Sequence, residues 1–190
     1  MSVRKGLSAD RVVVAAAELA DDVGLAEVTL STLARRFEVK PASLYSHVAG
    51  SDDLRTRVAL LALAELADHA ADAVAGRAGG DALRAIADVH REYAATHPGR
   101  YDAARLRLDA ATAASSAGPR LAAMMRAALA GYRLGEPDET HAVRLVGSVV
   151  HGFVDLERSG GFDHSAPTSE ETWHRVLDSL DATFAGWSAS

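Results

Sequence analysis

Apolar residues recur at three- and four-residue spacing in one segment after another of this chain, with little of the period-two alternation that a half-buried strand requires. A chain patterned in this way hides its apolar surface by laying helical stripes against one another, so the expected fold is all-α. Heavy alanine use and a hydrophobic fraction of 48% fit a globular helical protein. At 190 residues the chain is long enough for one good core, or for a small module joined to a larger one.

The punctuation between stripes predicts nine helices. Ser8 caps a helix running to about Val23, where Gly24 supplies the stop. Thr29 caps a short helix, "LSTLARRF", with Leu30, Leu33, Ala34 and Phe37 on one face and Arg35 and Arg36 turned outward. Pro41, after three intervening residues, is suited to the first position of a third helix, "PASLYSHV", because its missing N–H would be unpaired there anyway. Ala49 and Gly50 break that helix, and Ser51 caps a long one reaching about Ala75, with Asp52 and Asp53 in its first turn. Asp81 caps the next, which ends at His97 before Pro98, and "PGRYDAARLRLD" is a short amphipathic piece. Further helices open at Pro119 and run from about Asp138 to Ser159 and from Ser169 to Trp187; Thr168 and Glu171 form a capping box for the last. The domain organisation expected is a module over 1–50 and a larger helical domain over 51–190.

The absence of cysteine excludes disulfides, thiolate metal sites and cysteine nucleophiles. No apolar run reaches the length of a membrane span, and "MSVRKGLSADR" lacks the apolar core of a signal peptide, so a cytoplasmic protein is expected. The chain has no His-Glu-x-x-His, no Gly-x-Ser-x-Gly and no phosphate-binding glycine loop. An enzyme is therefore not expected, and no cofactor or metal is called for. The net charge of -6 is unevenly spread: residues 1–57 hold eight cationic and eight acidic side chains, which leaves the whole deficit to the remainder. A neutral N-terminal part with cations gathered around 35–40 is compatible with DNA contact through one face.

Two short helices joined by a three-residue turn, each with a buried stripe, form the helix-turn-helix pattern, whose second helix enters the major groove. Leu44 and Val48 would then lock that helix inward, and Pro41, Ala42, Ser43, Tyr45, Ser46 and His47 would face the groove. Any small helical domain also has short helices with polar outer faces, so spacing alone leaves both readings open. The segment "VTLSTLARRFEVKPASLYSHVAGSDDL", 28–54, closely resembles the DNA-binding domain of the TetR family of transcriptional regulators, "LYSHV" being its most specific part. That resemblance implies phosphate contacts at Thr29 and Tyr45, base or phosphate contacts at Ser43 and Ser46, and a backbone contact at His47. Two positions depart from the family pattern. Glu38 replaces a common turn glycine, at little cost where it stays near right-handed backbone, and Ser51 replaces a lysine; Ser51 can still hydrogen-bond a phosphate, with Arg36 and Lys40 compensating in charge.

"HREYAATHPGRYDAA" and "VGSVVHGFVDLERSGGF" are similar, more loosely, to a TetR subgroup named for a Trp/His-Gly signature, here His151-Gly152. The resemblance implies a helical ligand-binding domain that dimerises through its last two helices, whose stripes (Val143, Val146, Val150, Val154; Trp173, Val176, Leu177, Leu180, Phe184) need covering. His90, Tyr93, His97, Tyr101, Arg105, Met124, Met125 and Tyr132 come from three successive helices rich in alanine and are the candidate effector-pocket residues. Arg105 suits an anionic or phenolic ligand or, equally, faces solvent. The expectation is a homodimeric repressor released from a near-palindromic double-stranded DNA operator by a small molecule. The rival reading is a helical small-molecule-binding or interaction protein whose DNA binding is weakened at Glu38 and Ser51.

Overall fold

The computed structural model describes residues 7–187; the remaining terminal residues, among them Arg4 and Lys5 of the charge balance and most of the opening segment, lie outside the described residues. Within the described residues there are nine α-helices and no strand: α1 Ala9–Val23, α2 Leu30–Arg36, α3 Ser51–Val74, α4 Gly79–Thr96, α5 Pro98–Ala104, α6 Ala110–Ser115, α7 Gly118–Leu129, α8 Asp138–Arg158 and α9 Ser169–Trp187. The all-α expectation holds, but the nine are not the same nine. The expected third helix is only a 3₁₀ turn, Pro41–Ser43, continued by further turns to His47. Its bonds reach back three residues, from the N–H of Ser43 to Lys40, of Leu44 to Pro41 and of His47 to Leu44, and Ser46 Oγ donates to the Ser43 carbonyl at 3.0 Å. Serine bonding of this kind competes with a regular helical ladder, and so short a segment winds tightly instead. In exchange, Asp109 caps α6, accepting from the N–H groups of Ala111 and Thr112, both at 3.0 Å.

Several terminal signals act as expected. Ser8 accepts from Arg11 N–H, Thr29 and Thr32 form a capping box on α2, and Thr168 and Glu171 form one on α9. Ser51 instead lies inside α3 as its first residue, and Asp53 accepts the preceding Ala49 N–H at 2.8 Å.

The chain divides into two compact units that do not follow chain order: residues 1–65 with 96–117, and 66–95 with 118–190. In the first, Val12, Ala16 and Ala20 of α1 meet Leu30, Leu33 and Ala34 of α2, Leu44 and Val48 of the turn segment, Leu54 and Val58 of α3, and Ala103 of α5, all buried. α5 lies tight on α1: a Cβ on Gly99 would fall 2.0 Å from the carbonyl of Ala20. Asp21, at the end of α1, accepts from Arg100 N–H at 2.9 Å and pairs with the Arg100 guanidinium at 3.0 Å, both side chains 14% exposed.

In the second unit, Leu83 and Ala87 of α4, Leu129 of α7, Val146, Val150 and Phe153 of α8, and Trp173, Leu177, Leu180 and Phe184 of α9 form the main core. Arg91 closes one end. Its guanidinium stacks 5.4 Å from the Trp173 ring centroid and pairs with Glu157 at 2.6 Å, while Trp173 donates its indole N–H to Asp88 at 2.7 Å. The Arg91–Glu157 hydrogen bonds hold the Arg91 pKa above its ordinary value and that of Glu157 below.

Candidate nucleic-acid interface and effector site

The segment between α2 and α3 has the two-faced character its sequence suggests. Leu44 and Val48 are buried with α1 and α2, whereas Pro41, Ala42, Ser43, Tyr45 and Ser46 are exposed and His47 is half-buried. Tyr45 stands 61% exposed, an unusual position for a large aromatic side chain. The 3₁₀ winding puts these groups on a short exposed edge carrying hydroxyls, a phenol and an imidazole, with Lys40 exposed beside it. Such groups bond phosphate oxygens and base edges alike.

The other candidates are placed less simply. Thr29 and Thr32 share their hydroxyls in the α2 cap, so Thr29 Oγ1 already serves the helix. Ser51 Oγ accepts the Leu30 N–H at 3.4 Å, a long bond that leaves its own proton for another acceptor. Arg36 reaches sideways to α1, pairing with Asp22 at 2.8 Å and Glu18 at 3.0 Å, and these bonds raise its pKa. Glu38 sits at φ 56°, in the left-handed region, so the turn does need the backbone that glycine favours, and the right-handed expectation for it is overturned. A residue that sequence reasoning missed, Arg55, ties the module together by donating to the Ala26 carbonyl at 2.8 Å.

The effector candidates fall in different units. His97, Tyr101 and Arg105 belong to the first. His97 Nδ1 lies 3.2 Å from Asp21, Tyr101 is fully buried, and Arg105 is exposed with its guanidinium 5.5 Å from the Tyr101 ring centroid. His90, Tyr93, Met124, Met125 and Tyr132 belong to the second. Tyr132 donates to Asp181 of α9, and burial first, then that bond, raises its pKa. Met124 and Met125 pack against Ala82, Ile86 and Ala128. Tyr93 is buried, with the His69 ring 5.9 Å away edge-on. His90 donates Nδ1–H to the Ile86 carbonyl at 2.8 Å, and its ring lies 5.9 Å from that of His151 on α8. His151 entered the sequence reading only as part of a signature; no sequence spacing announces which α8 residue meets α4.

Among the described residues, no group of three or more His, Asp or Glu side chains could hold a metal ion, and no helix is long and apolar enough to cross a membrane.

Residues 83–180 match the family described as "Tetracyclin repressor-like, C-terminal domain". An uncharacterized HTH-type transcriptional regulator of Bacillus subtilis (strain 168), YobS, is 32% identical over 163 residues, which span 86% of this chain and 85% of that protein. Two solved structures share the fold. A TetR variant from Acinetobacter baumannii AYE in complex with minocycline superposes with a TM-score of 0.69 at 22% identity, over 97% of this chain and 100% of that one. BioQ with its double-stranded DNA operator gives a TM-score of 0.63 at 24% identity, over 95% and 99%. On the family match across half of its length and the helix-turn-helix relative across most of it, the chain belongs to the TetR family of helix-turn-helix transcriptional regulators.

Proposed function

We propose that the chain is a homodimeric, cytoplasmic repressor that leaves its DNA operator when a small molecule binds its second unit, and that it acts by binding rather than by catalysis. The observation that carries the DNA part is the exposed edge from Pro41 to His47, with Tyr45 61% exposed over a buried Leu44 and Val48. BioQ has been solved on its operator and the A. baumannii TetR variant with minocycline, so the shared fold admits both kinds of ligand in those proteins. Helix α3 belongs to the first unit over 51–65 and to the second over 66–74, a covalent route by which a shift in one reaches the other. The effector must favour the released conformation, because equal affinity for both states shifts nothing.

Dimerisation is assigned to α8 and α9. Leu145 and Val149 are only partly buried and Leu156 is 53% exposed on α8, and Val176 is partly buried on α9, so apolar surface remains for a second copy. Two-fold symmetry would set the paired DNA-binding segments about one turn of duplex, ~34 Å, or a multiple of it apart.

The test is selection of DNA fragments by the purified protein, followed by affinity measurements. Tyr45→Ala and His47→Ala should each weaken binding to the selected near-palindrome with unchanged helix content; wild-type affinity in both would remove the Pro41–His47 edge from the interface. The rival of weakened DNA binding is favoured by one observation, the engagement of Arg36 with Glu18 and Asp22. It predicts a shallow salt dependence, whereas an operator-binding repressor loses affinity steeply as salt rises.

A further inference from the structure

We propose that His90 is the hydrogen-bond acceptor of the effector site, and that this site takes a neutral, largely apolar molecule carrying one hydroxyl donor. The inference rests on the ligand-responsive reading above and names the chemistry of that same site. Ile86, His90 and Tyr93 follow one another at helical spacing on a single face of α4; Ile86 and Tyr93 are each 2% exposed, and His90 is half-buried. Three other elements of the second unit meet that face: α7 through Met124 and Met125, α8 through His151, and α3 through His69, which touches Tyr93. Faces shared between bundle helices, apolar with a few polar groups, are where helical proteins hold small molecules. The flexible, polarisable methionines can adapt to an apolar body.

The polar selectivity comes from the tautomer. Donation of the Nδ1 proton to the Ile86 carbonyl at 2.8 Å leaves Nε2 of a neutral imidazole with its lone pair, an acceptor, and among the described residues the ring makes no other hydrogen bond. Burial pushes the His90 pKa below its ordinary value, opposed only by the Ile86 carbonyl, and no charged side chain contributes. The ring is therefore uncharged at neutral pH. A carboxylate placed against it would set acceptor against acceptor without an attracting charge. An ammonium would lose its water among methionine, isoleucine and tyrosine with no anion to replace it. A neutral hydroxyl donates to Nε2 and brings an apolar body for the rest.

The experiment measures binding to the full chain of three probes of matched shape: para-propylphenol, para-propylanisole and para-propylbenzoate. The phenol should bind about tenfold more tightly than the ether, the fold-change one hydrogen bond supports, and the benzoate more weakly than either. His90→Phe keeps a ring and removes the acceptor, so it should bind the ether as the wild type does and lose the preference for the phenol. A second readout needs no variant: the Nε2 ¹⁵N resonance of wild-type His90 should shift upfield with the phenol and stay unmoved with the ether. Equal binding of phenol and ether, binding of none of the three, an unmoved resonance, or a preference that survives His90→Phe would each overturn the proposal. Operator binding measured without probe decides the DNA reading separately: DNA binding with no probe binding sinks this inference alone, and probe binding through His90 with no selected DNA sinks the regulator reading alone.

Discussion

His90 and His97 stand seven residues apart around one end of α4, yet the structure gives them opposite surroundings. His97 lies in the first unit, beside an Asp21 that also holds the Arg100 guanidinium, while Arg100 reaches on to Glu65 at 3.2 Å. His90 lies in the second unit, half-buried beside the His151 ring, and among the described residues its one hydrogen bond goes to the Ile86 carbonyl. A histidine woven into a charged network has its capacity taken up in fastening α5 to α1. One that is half-buried, with its second ring nitrogen making no hydrogen bond among the described residues, keeps that capacity for something else. The residues expected to line one pocket fall in two units, His97 beside Asp21 in the first and His90 in the second, where the proposal places recognition.

Substitutions can break this contrast. The largest effect should come from Gly99→Ala, because the added methyl group would sit 2.0 Å from the Ala20 carbonyl and force α5 off α1. A loss of about 3 kcal/mol or more is expected in denaturant unfolding. Next, Asp21→Asn removes the charge facing a mostly buried Arg100 and should lower stability by about 2 kcal/mol in the same assay. A comparable loss with His90→Phe would contradict the distinction, because no charged partner depends on His90.

A smaller effect concerns acid. Burial lowers the His90 pKa in the folded state, so below its ordinary value of 6.5 the unfolded chain binds the proton first. That part of the stability is present above about pH 6.5 and is lost as pH falls from there toward the folded pKa. Urea unfolding of the wild type between about pH 6.5 and pH 5 should fall more steeply than that of His90→Phe, by up to about 1.4 kcal/mol per pH unit, the limit for one proton. Parallel curves would place His90 in an ordinary solvated setting. The smallest effect is Glu38→Gly, which relieves the left-handed backbone of the first unit and should raise stability by about 0.5 kcal/mol, read as a small rise in melting temperature.

Local chemistry made much of the fold legible. Ser8, Thr29 and Thr168 each announce a helix start that the structure contains, because a cap is decided within three or four residues. The buried pair Leu44 and Val48 was visible in the same way, from spacing. The failures lie where a short segment had several solutions or a distant partner decided. Pro41 through His47 could wind as a helix or a 3₁₀ turn with the same outward groups, and the serines tipped the balance. Arg36 looked outward on its own helix, but Glu18 and Asp22 of α1 were within its reach. His97 follows His90 by seven residues in sequence, just past the end of α4, while Asp21, which its Nδ1 meets at 3.2 Å, is 76 residues away. Nothing in the local sequence of either histidine encodes that separation.

The proposed recognition is separable between the two units, DNA at the Pro41–His47 edge and effector at His90. Operator affinity and para-propylphenol affinity, measured on wild type, Tyr45→Ala and His90→Phe, separate the two. Tyr45→Ala should lose about tenfold or more in operator affinity and bind the phenol as before, whereas His90→Phe should bind the operator as before and lose about tenfold on the phenol. Tyr45→Ala with wild-type operator affinity, or a His90→Phe protein that still prefers the phenol over its ether, would contradict that separation.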